Sequence, residues 1–273
     1  WSKVGAAQRA TAILDRMERI YETSGGDMHV KPNTITYNCV IHAWAMRGRG
    51  SATDEGTSKH RAQYAEETLA RMQDMYNNGN VDVRPDTITY TGVMTAWVNS
   101  GVRGFATRVE ELHEQMEQEF QNGNKVVQPD TISFTKLIDA LAKSDELDAP
   151  QRAERAFRRM EEQYNTNINP RTKPCLITYN ALLHAWASST QENAMQRAEA
   201  ILKAMEQLSR DERNYAALKP DYITYSTVLD GWSKWRGQEG SQRAEAILDR
   251  MIELYSQEAK NRNVKPNEAS FNS

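Results

Sequence analysis

Small hydrogen-bonding side chains recur at two positions of a segment that this chain repeats, one copy being PDYITYSTVLDGW at residues 220–232. Counted from the second residue after each proline, these are the fifth position and the closing position, which directly follows the next proline. Groups of this kind can meet the edge of an unstacked nucleobase, while aliphatic neighbours pack against its faces. The fifth-position residues are Asn38, Thr91, Thr135, Asn180 and Ser226, and the closing residues are Asp86, Asp130, Cys175, Asp221 and Asn267.

The second position, by contrast, does not vary, and threonine or serine and then tyrosine or phenylalanine follow it in every copy. If the copies align side by side, these second-position residues form an aliphatic row next to the varying polar groups. The row is Ile35, Ile88, Ile132, Ile177 and Ile223.

The elements that must position these residues form an internal repeat. Its prolines at 32, 85, 129, 174, 220 and 266 are 53, 44, 45, 46 and 46 residues apart, which indicates stacked structural units. Because both ends of the sequence match the middle of a repeat, we expect one continuous array (residues 1–273) that is a piece of a longer one. The predicted repeats are 1–33 (partial), 34–86, 87–130, 131–175, 176–221, 222–267 and 268–273 (partial).

Each repeat contains two predicted helices. The first is apolar on most faces, as in ITYNALLHAWA, which is typical of a helix covered on both flanks. The second, as in QRAEAILDRMIELY, is amphipathic with a charged outer face. A Gly- and Ser-rich insertion at 47–59 accounts for the longest spacing and is predicted to be a surface loop. The prediction is an all-α, right-handed superhelical solenoid of stacked antiparallel helix hairpins.

Composition excludes several classes of protein. The net charge of −3 gives no overall attraction to nucleic acid, and no run approaches the roughly 20 apolar residues of a membrane helix. Two cysteines in unrelated contexts argue against a disulfide framework, and the five histidines show no metal-ligand spacing. No metal, cofactor or small-molecule substrate is predicted.

The pattern ITYNALLHAW…RAEAILKAM…KPD resembles the pentatricopeptide repeat family, P-type, over essentially the whole chain. Two departures are repeats of 44–46 residues, longer than the family's usual length, and tryptophan where the family usually has leucine. The resemblance implies sequence-specific binding of single-stranded RNA, about one nucleotide per repeat, with the N-terminus toward the RNA 5′ end.

The resemblance also implies how the fifth and closing residues of each repeat choose a base. Asn38 with Asp86 implies U, Thr91 with Asp130 implies G, Asn180 with Asp221 implies U, and Ser226 with Asn267 implies A. Thr135 with Cys175 has no clear counterpart and leans toward a purine. The implied core is 5′-U-G-(purine)-U-A-3′, with each base sandwiched between the second-position isoleucines. Lysines at the thirteenth position, where the family often contacts phosphate, are Lys3, Lys143 and Lys234.

Structural roles compete with these functional ones. The closing aspartates are good helix N-caps, worth about 1 kcal/mol each, and both roles can hold at once. The tryptophan and methionine stripes are predicted to be core, and Cys39 is predicted to be a packing residue.

Other functions remain open on sequence grounds. A protein-binding scaffold, or a structural subunit of a ribonucleoprotein complex, would use the same helical array. No clustered aspartates, H-x-E with C-x-x-C, or phosphate loop indicates an enzyme. The family resemblance implies a mitochondrial or plastid location and a role in RNA processing, stability or translation, with protein partners possible outside this segment.

Overall fold

The computed structural model describes residues 3–24, 30–46, 55–210, 218–235, 238–257 and 264. These residues form eleven α-helices and two short 3₁₀ turns, at Val81–Val83 and Pro170–Thr172, and contain no β-strand. The all-α prediction is therefore confirmed, as is the division of each repeat into two helices. The predicted right-handed superhelix stays a prediction.

The first helix of each repeat begins directly after a closing residue of the preceding repeat. These helices are α2 (Thr34–Ala45), α4 (Thr87–Ser100), α6 (Thr131–Ala142), α8 (Leu176–Ala187) and α10 (Tyr222–Lys234). The second helices are longer and carry most of the charged residues. They are α1 (Lys3–Thr23), α3 (Glu55–Asn77), α5 (Phe105–Gln121), α7 (Ala149–Asn165), α9 (Ala194–Ser209) and α11 (Gln238–Gln257).

The chain divides into two compact units, Trp1–Ala140 and Leu141–Ser273. In the first unit, α2 contacts α1, α3 and α4, and α4 contacts α3 and α5. The first helices thus lie beside each other and are covered by second helices. Their inner residues, such as Tyr37, Ile41, Val93 and Met94, are at most 1% exposed, which explains why these helices are apolar nearly all round.

The second unit repeats this arrangement. Helix α8 contacts α7, α9 and α10, and α10 contacts α9 and α11. Trp186, Met205 and Trp232 are buried between these helices. The approach of α10 to its neighbours is close at Gly231, where an added Cβ would lie 2.6 Å from Met195 Sδ. Any larger residue at this position would require the side chain of Met195 to move.

The predicted methionine stripe is confirmed, because Met72, Met116, Met160, Met205 and Met251 are all 0% exposed. Trp44, Trp186 and Trp232 of the tryptophan stripe are buried as well, whereas Trp97 is half-buried.

Two local predictions were wrong. Cys39 is exposed and not packed, because it lies on the same face of α2 as Ile35. The insertion is not wholly a loop, because α3 already begins at Glu55. The remainder of the insertion, residues 47–54, lies outside the described residues.

Candidate nucleic-acid interface

The closing residues occupy the N-caps of the first helices. Oδ1 of Asp86 accepts a hydrogen bond from Thr89 N at 2.8 Å, and Oδ1 of Asp221 accepts one from Thr224 N at 2.9 Å. The threonine hydroxyls accept in return from the backbone N–H groups of Asp86 and Asp221, at 3.0 and 3.1 Å. These reciprocal bonds form a capping box, which fixes the closing side chain at the start of the helix.

In the first unit, the fifth-position residue of one repeat touches this capping box. Asn38 Nδ2 donates to Asp86 Oδ1 at 3.2 Å, and Asn38 Oδ1 accepts from the hydroxyl of Thr89 at 2.7 Å. The structure thus joins Asn38 and Asp86, which lie 48 residues apart in the sequence.

The second unit contains the same arrangement. Asn180 Nδ2 donates to Asp221 Oδ1 at 3.4 Å, and Asn180 Oδ1 accepts from the hydroxyl of Thr224 at 2.7 Å. Two separate repeats therefore place an amide and a carboxylate side by side in the same geometry. The four side chains are half-buried, so each keeps part of its surface accessible.

The threonines at the fifth position behave differently. The hydroxyl of Thr91 donates to the backbone oxygen of Thr87 at 2.8 Å, and that of Thr135 donates to Thr131 O at 2.6 Å. Each hydroxyl proton is thus engaged within its own helix, and the oxygen is left with lone pairs only. The closing residue of the Thr91 repeat, Asp130, is an N-cap that accepts from Ser133 N at 2.9 Å.

The two remaining pairs are less complete. The Sγ of Cys175 lies 3.3 Å from the hydroxyl of Thr178, so a thiol replaces the carboxylate at this cap. Ser226 Oγ is buried and makes no hydrogen bond within the described part of the chain. Its predicted partner, Asn267, lies outside the described residues.

The second-position isoleucines are exposed although the helices that carry them are buried on most faces. Their exposed fractions are 71% for Ile35, 67% for Ile88, 62% for Ile132, 69% for Ile177 and 46% for Ile223. Within each unit, these exposed isoleucines lie at the start of the same helices that carry the polar residues. Exposed apolar residues repeated at one position indicate a contact surface more strongly than scattered ones would.

Buried aromatic residues two positions further on hold the start of each first helix in place. The hydroxyl of Tyr225 donates to Glu206 Oε1 at 2.7 Å, and that of Tyr179 donates to Glu161 Oε1 at 3.3 Å. Burial raises the pKa of Tyr37 and of Tyr90 to about 12, so these hydroxyls stay protonated at physiological pH. Ile177 and Ile223 therefore lie two positions before a buried, hydrogen-bonded tyrosine.

Two of the three lysines predicted to contact phosphate have side chains that the structure describes. Lys143 and Lys234 are exposed, and Lys234 Nζ lies 2.5 Å from Asp230 Oδ2 in an ion pair on the surface of α10. The side chain of Lys3 lies outside the described part of the chain.

A cavity of about 910 Å³ lies in the second unit beside Ser226. Its lining includes His184 of α8, Tyr222, Ile223 and Ser226 at the start of α10, and Trp235 at its end. The cavity thus adjoins one of the predicted recognition positions. Its aromatic members were missed in the sequence, because tyrosine and tryptophan replace threonine, leucine, arginine or serine at these positions only in this repeat.

Thr89 and Thr224, whose hydroxyls contact the pairs, are the other residues that the sequence analysis missed. They were treated as constant background because the third position hardly varies. An N-cap residue followed three residues later by a hydroxyl partner was the signal that could have identified them.

Stacked helical hairpins with a repeated polar and aliphatic surface define a helical-repeat protein. Residues 118–189 match the family model described as the pentatricopeptide repeat domain. A pentatricopeptide repeat-containing protein of Arabidopsis thaliana is 28% identical over 110 residues, which cover 40% of this chain and 15% of that protein. Over these segments the chain is similar to pentatricopeptide repeat proteins, which are generally RNA-binding proteins of organelles.

No helix in the described part of the chain combines the length and apolar character that crossing a bilayer demands.

Proposed function

We propose that this chain binds single-stranded RNA in a sequence-specific manner, with about one nucleotide per repeat. The observation that carries the proposal is the side-by-side amide and carboxylate of Asn38 with Asp86 and of Asn180 with Asp221. Each pair adjoins exposed isoleucines of its own unit, which can pack against the faces of a base.

Hydrogen-bond chemistry explains why these two pairs would select uracil. Because Asn38 Oδ1 accepts from Thr89 and one N–H of Nδ2 goes to Asp86, the second N–H of the amide remains as a donor. The second carboxylate oxygen of Asp86 remains as an acceptor. Uracil offers a carbonyl acceptor next to the N3–H donor, so it matches a donor beside an acceptor, whereas cytosine has an acceptor at N3.

The same reasoning assigns guanine to the next repeat. The proton of the Thr91 hydroxyl points to its own helix, so both Thr91 and Asp130 present acceptors. Guanine offers two adjacent donors, N1–H and the N2 amino group, and matches two acceptors. The proposed core is 5′-U-G-(purine)-U-A-3′, with the final base read by Ser226 and Asn267.

The biological setting follows the family. We infer a mitochondrial or plastid protein that acts in RNA processing, stability or translation, and that binds its RNA without catalysing a reaction. The alignment covers 15% of the Arabidopsis relative, so the activity and partners of the whole protein are likewise proposed and not shown by the comparison.

Fluorescence titration of the 273-residue chain tests the proposal with RNAs that contain 5′-UGAUA-3′ or a scrambled order of the same bases. We expect the first RNA to bind at least about tenfold more tightly, since each well-placed base contact is worth about 1–3 kcal/mol. Equal affinity for both RNAs would refute sequence-specific recognition.

A peptide-binding scaffold is the alternative that the exposed isoleucine row and the cavity near Trp235 also suit. The double variant Asn180→Leu with Asp221→Asn discriminates, because asparagine still caps the helix as Asn33 does naturally. Loss of RNA binding with an unchanged melting temperature supports recognition by the pair. Unchanged RNA binding favours the scaffold.

A further inference from the structure

The third-position hydroxyls of Thr89 and Thr224 are fully buried, and each lies between the two side chains of a recognition pair. Thr89 Oγ1 lies 2.7 Å from Asn38 Oδ1 and 2.9 Å from Asp86 Oδ1. Thr224 Oγ1 lies 2.7 Å from Asn180 Oδ1 and 2.8 Å from Asp221 Oδ1. The same threonine contact therefore accompanies both asparagine–aspartate pairs.

A hydroxyl has one proton, and here its shortest contact is with the amide oxygen. A donor at that place favours the amide orientation in which oxygen faces the threonine and nitrogen faces the aspartate. In the reverse orientation, the amide oxygen would lie against Asp86 Oδ1 and the NH₂ group against the threonine hydroxyl. The hydroxyl therefore helps to decide whether the amide offers a donor or an acceptor to a ligand.

Of the two repeats with threonine at the fifth position, that of Thr91 provides a contrast. There the third-position residue is Ser133, whose hydroxyl lies 3.0 Å from its own cap's backbone oxygen, Asp130 O, and 3.4 Å from His113 Nε2. The fifth-position Thr91 turns its hydroxyl to Thr87 O. The bridge from the third position thus accompanies an asparagine at the fifth.

We propose that Thr89 and Thr224 are specificity-determining positioning residues: their hydroxyls orient the amides of Asn38 and Asn180 so that each presents an N–H to the RNA. This inference rests on the proposed function. It adds to each recognition pair a third residue, which comes from the following repeat and does not touch the base.

The test compares Thr224→Val with wild type, using RNAs that contain 5′-UGAUA-3′ or 5′-UGACA-3′, so that only the base assigned to Asn180 and Asp221 changes. Valine keeps the shape of threonine but has no hydroxyl. We expect the preference for U over C at this position to fall at least fivefold in Thr224→Val and to be retained in Thr224→Ser.

Thr36→Val is the matched control, because Thr36 forms the same capping box with Asn33, and among the described residues its hydroxyl bonds to no fifth-position amide. It loses the same box hydroxyl, so a purely structural effect on binding would appear in both variants. We expect its U-to-C preference at the fourth base to equal that of wild type.

The outcomes separate the two levels of proposal. A wild-type chain without preference for U over C refutes the recognition pair, and this inference with it. A wild-type preference that Thr224→Val retains in full refutes the positioning role alone. If Thr224→Val does not fold, Thr89→Val, measured with 5′-UGAUA-3′ and 5′-CGAUA-3′, applies the same criterion to the first pair.

Discussion

At the residue scale, the same atoms serve both folding and the proposed recognition. Oδ1 of Asp86 accepts from the helix N-terminus and from Asn38, so the cap uses one carboxylate oxygen and leaves the other for a ligand. A substitution of the cap residue that preserves the first oxygen can therefore change which base is preferred while the helix cap is kept.

Asp221→Asn is predicted to change the preferred fourth base from U to C. The amide oxygen keeps the cap and its NH₂ group replaces the free carboxylate oxygen, so the pair presents two donors, which match the N3 and O2 acceptors of cytosine. The expected change in the U-to-C affinity ratio is about tenfold or more, measured by titration with 5′-UGAUA-3′ and 5′-UGACA-3′. An unchanged preference for U would contradict direct readout by this side chain.

Glu161→Gln is predicted to make the protein more stable relative to wild type as pH rises. Burial raises the pKa of Glu161 above its ordinary value of 4.5, against the opposing effects of the Tyr179 hydrogen bond and Arg158. The folded state therefore favours the protonated carboxyl. Its stabilising contribution is complete below pH 4.5 and is lost as pH rises through the raised pKa.

Urea unfolding between pH 4 and pH 8 measures this effect. Gln73 holds the corresponding position in another repeat and donates to Tyr90 Oη at 3.0 Å, so glutamine fits this site. The neighbouring exposed Glu162→Gln is the control. A stability difference between Glu161→Gln and wild type that stays constant over this pH range would show that burial does not raise the pKa.

The proposed recognition residues stand out in the sequence because they are the few polar positions that vary against a constant repeat. Their contacts could not be predicted. Nothing in the sequence indicates that Asn38 bonds to Asp86 while Thr91 turns its hydroxyl to its own helix, since both are small polar residues at one position. The exposure of Cys39 was also missed, because the two apolar residues that follow it conceal which helix face it occupies.

At the scale of the helices, successive second helices are joined by arginine and glutamate at fixed offsets from the buried methionine. Arg108 Nε lies 2.9 Å from Glu66 Oε1, Arg243 Nη1 lies 3.4 Å from Glu199 Oε1, and Arg197 Nη1 lies 3.8 Å from Glu154 Oε1. Exposed pairs of this kind contribute about 0–1 kcal/mol each. They therefore set the alignment of neighbouring helices more than the stability of the fold.

The contact between α5 and α6 differs in several residues from the corresponding contacts of the other repeats. Where the other repeats have a tyrosine that bonds to a side chain on the preceding second helix, α6 has Phe134. On α5, the buried His113 takes the place of a core apolar residue, its ring centroid 4.3 Å from that of Phe134 and its Nδ1 3.5 Å from Glu117 Oε2. The imidazole thus meets the glutamate that a tyrosine hydroxyl meets elsewhere.

His113→Leu is predicted to destabilise the protein by about 1–3 kcal/mol, because it removes the ring that packs against Phe134 and the polar group beside a buried carboxylate. Adding Phe134→Tyr supplies the hydroxyl found in the other repeats and is predicted to recover about 1 kcal/mol or more. Urea unfolding of wild type, both single variants and the double variant forms the complete cycle. Effects that add within about 0.5 kcal/mol would show that the two positions are independent.

The helices themselves followed from the sequence because each proline and polar closing residue marks a first helix, and the methionine stripe marks each second one. The early start of α3 at Glu55 did not. A Gly- and Ser-rich insertion is typical of a loop, and the sequence does not show where in it the following helix begins.

At the scale of the whole molecule, the net charge of −3 implies that phosphate attraction contributes little to RNA binding. Lys143 and Lys234 are the thirteenth-position lysines whose exposure the structure describes. We predict that a plot of log affinity against log salt for the UGAUA RNA has a slope of about −1.4, since each phosphate contact on a single strand contributes about −0.7. A slope steeper than about −4 would show that many other basic residues take part.

The contact between α5 and α6 around His113, Phe134 and Ser133 has a practical consequence for engineering new arrays by exchange of repeats. A repeat exchanged by cutting at the prolines would separate the ring of Phe134 from the imidazole of His113, and each would then pack against a residue of a different repeat. Cutting instead within the short turn between the two helices of a hairpin, as at residues 101–104, keeps such partners together. The unit of exchange is then the second helix of one repeat with the first helix of the next.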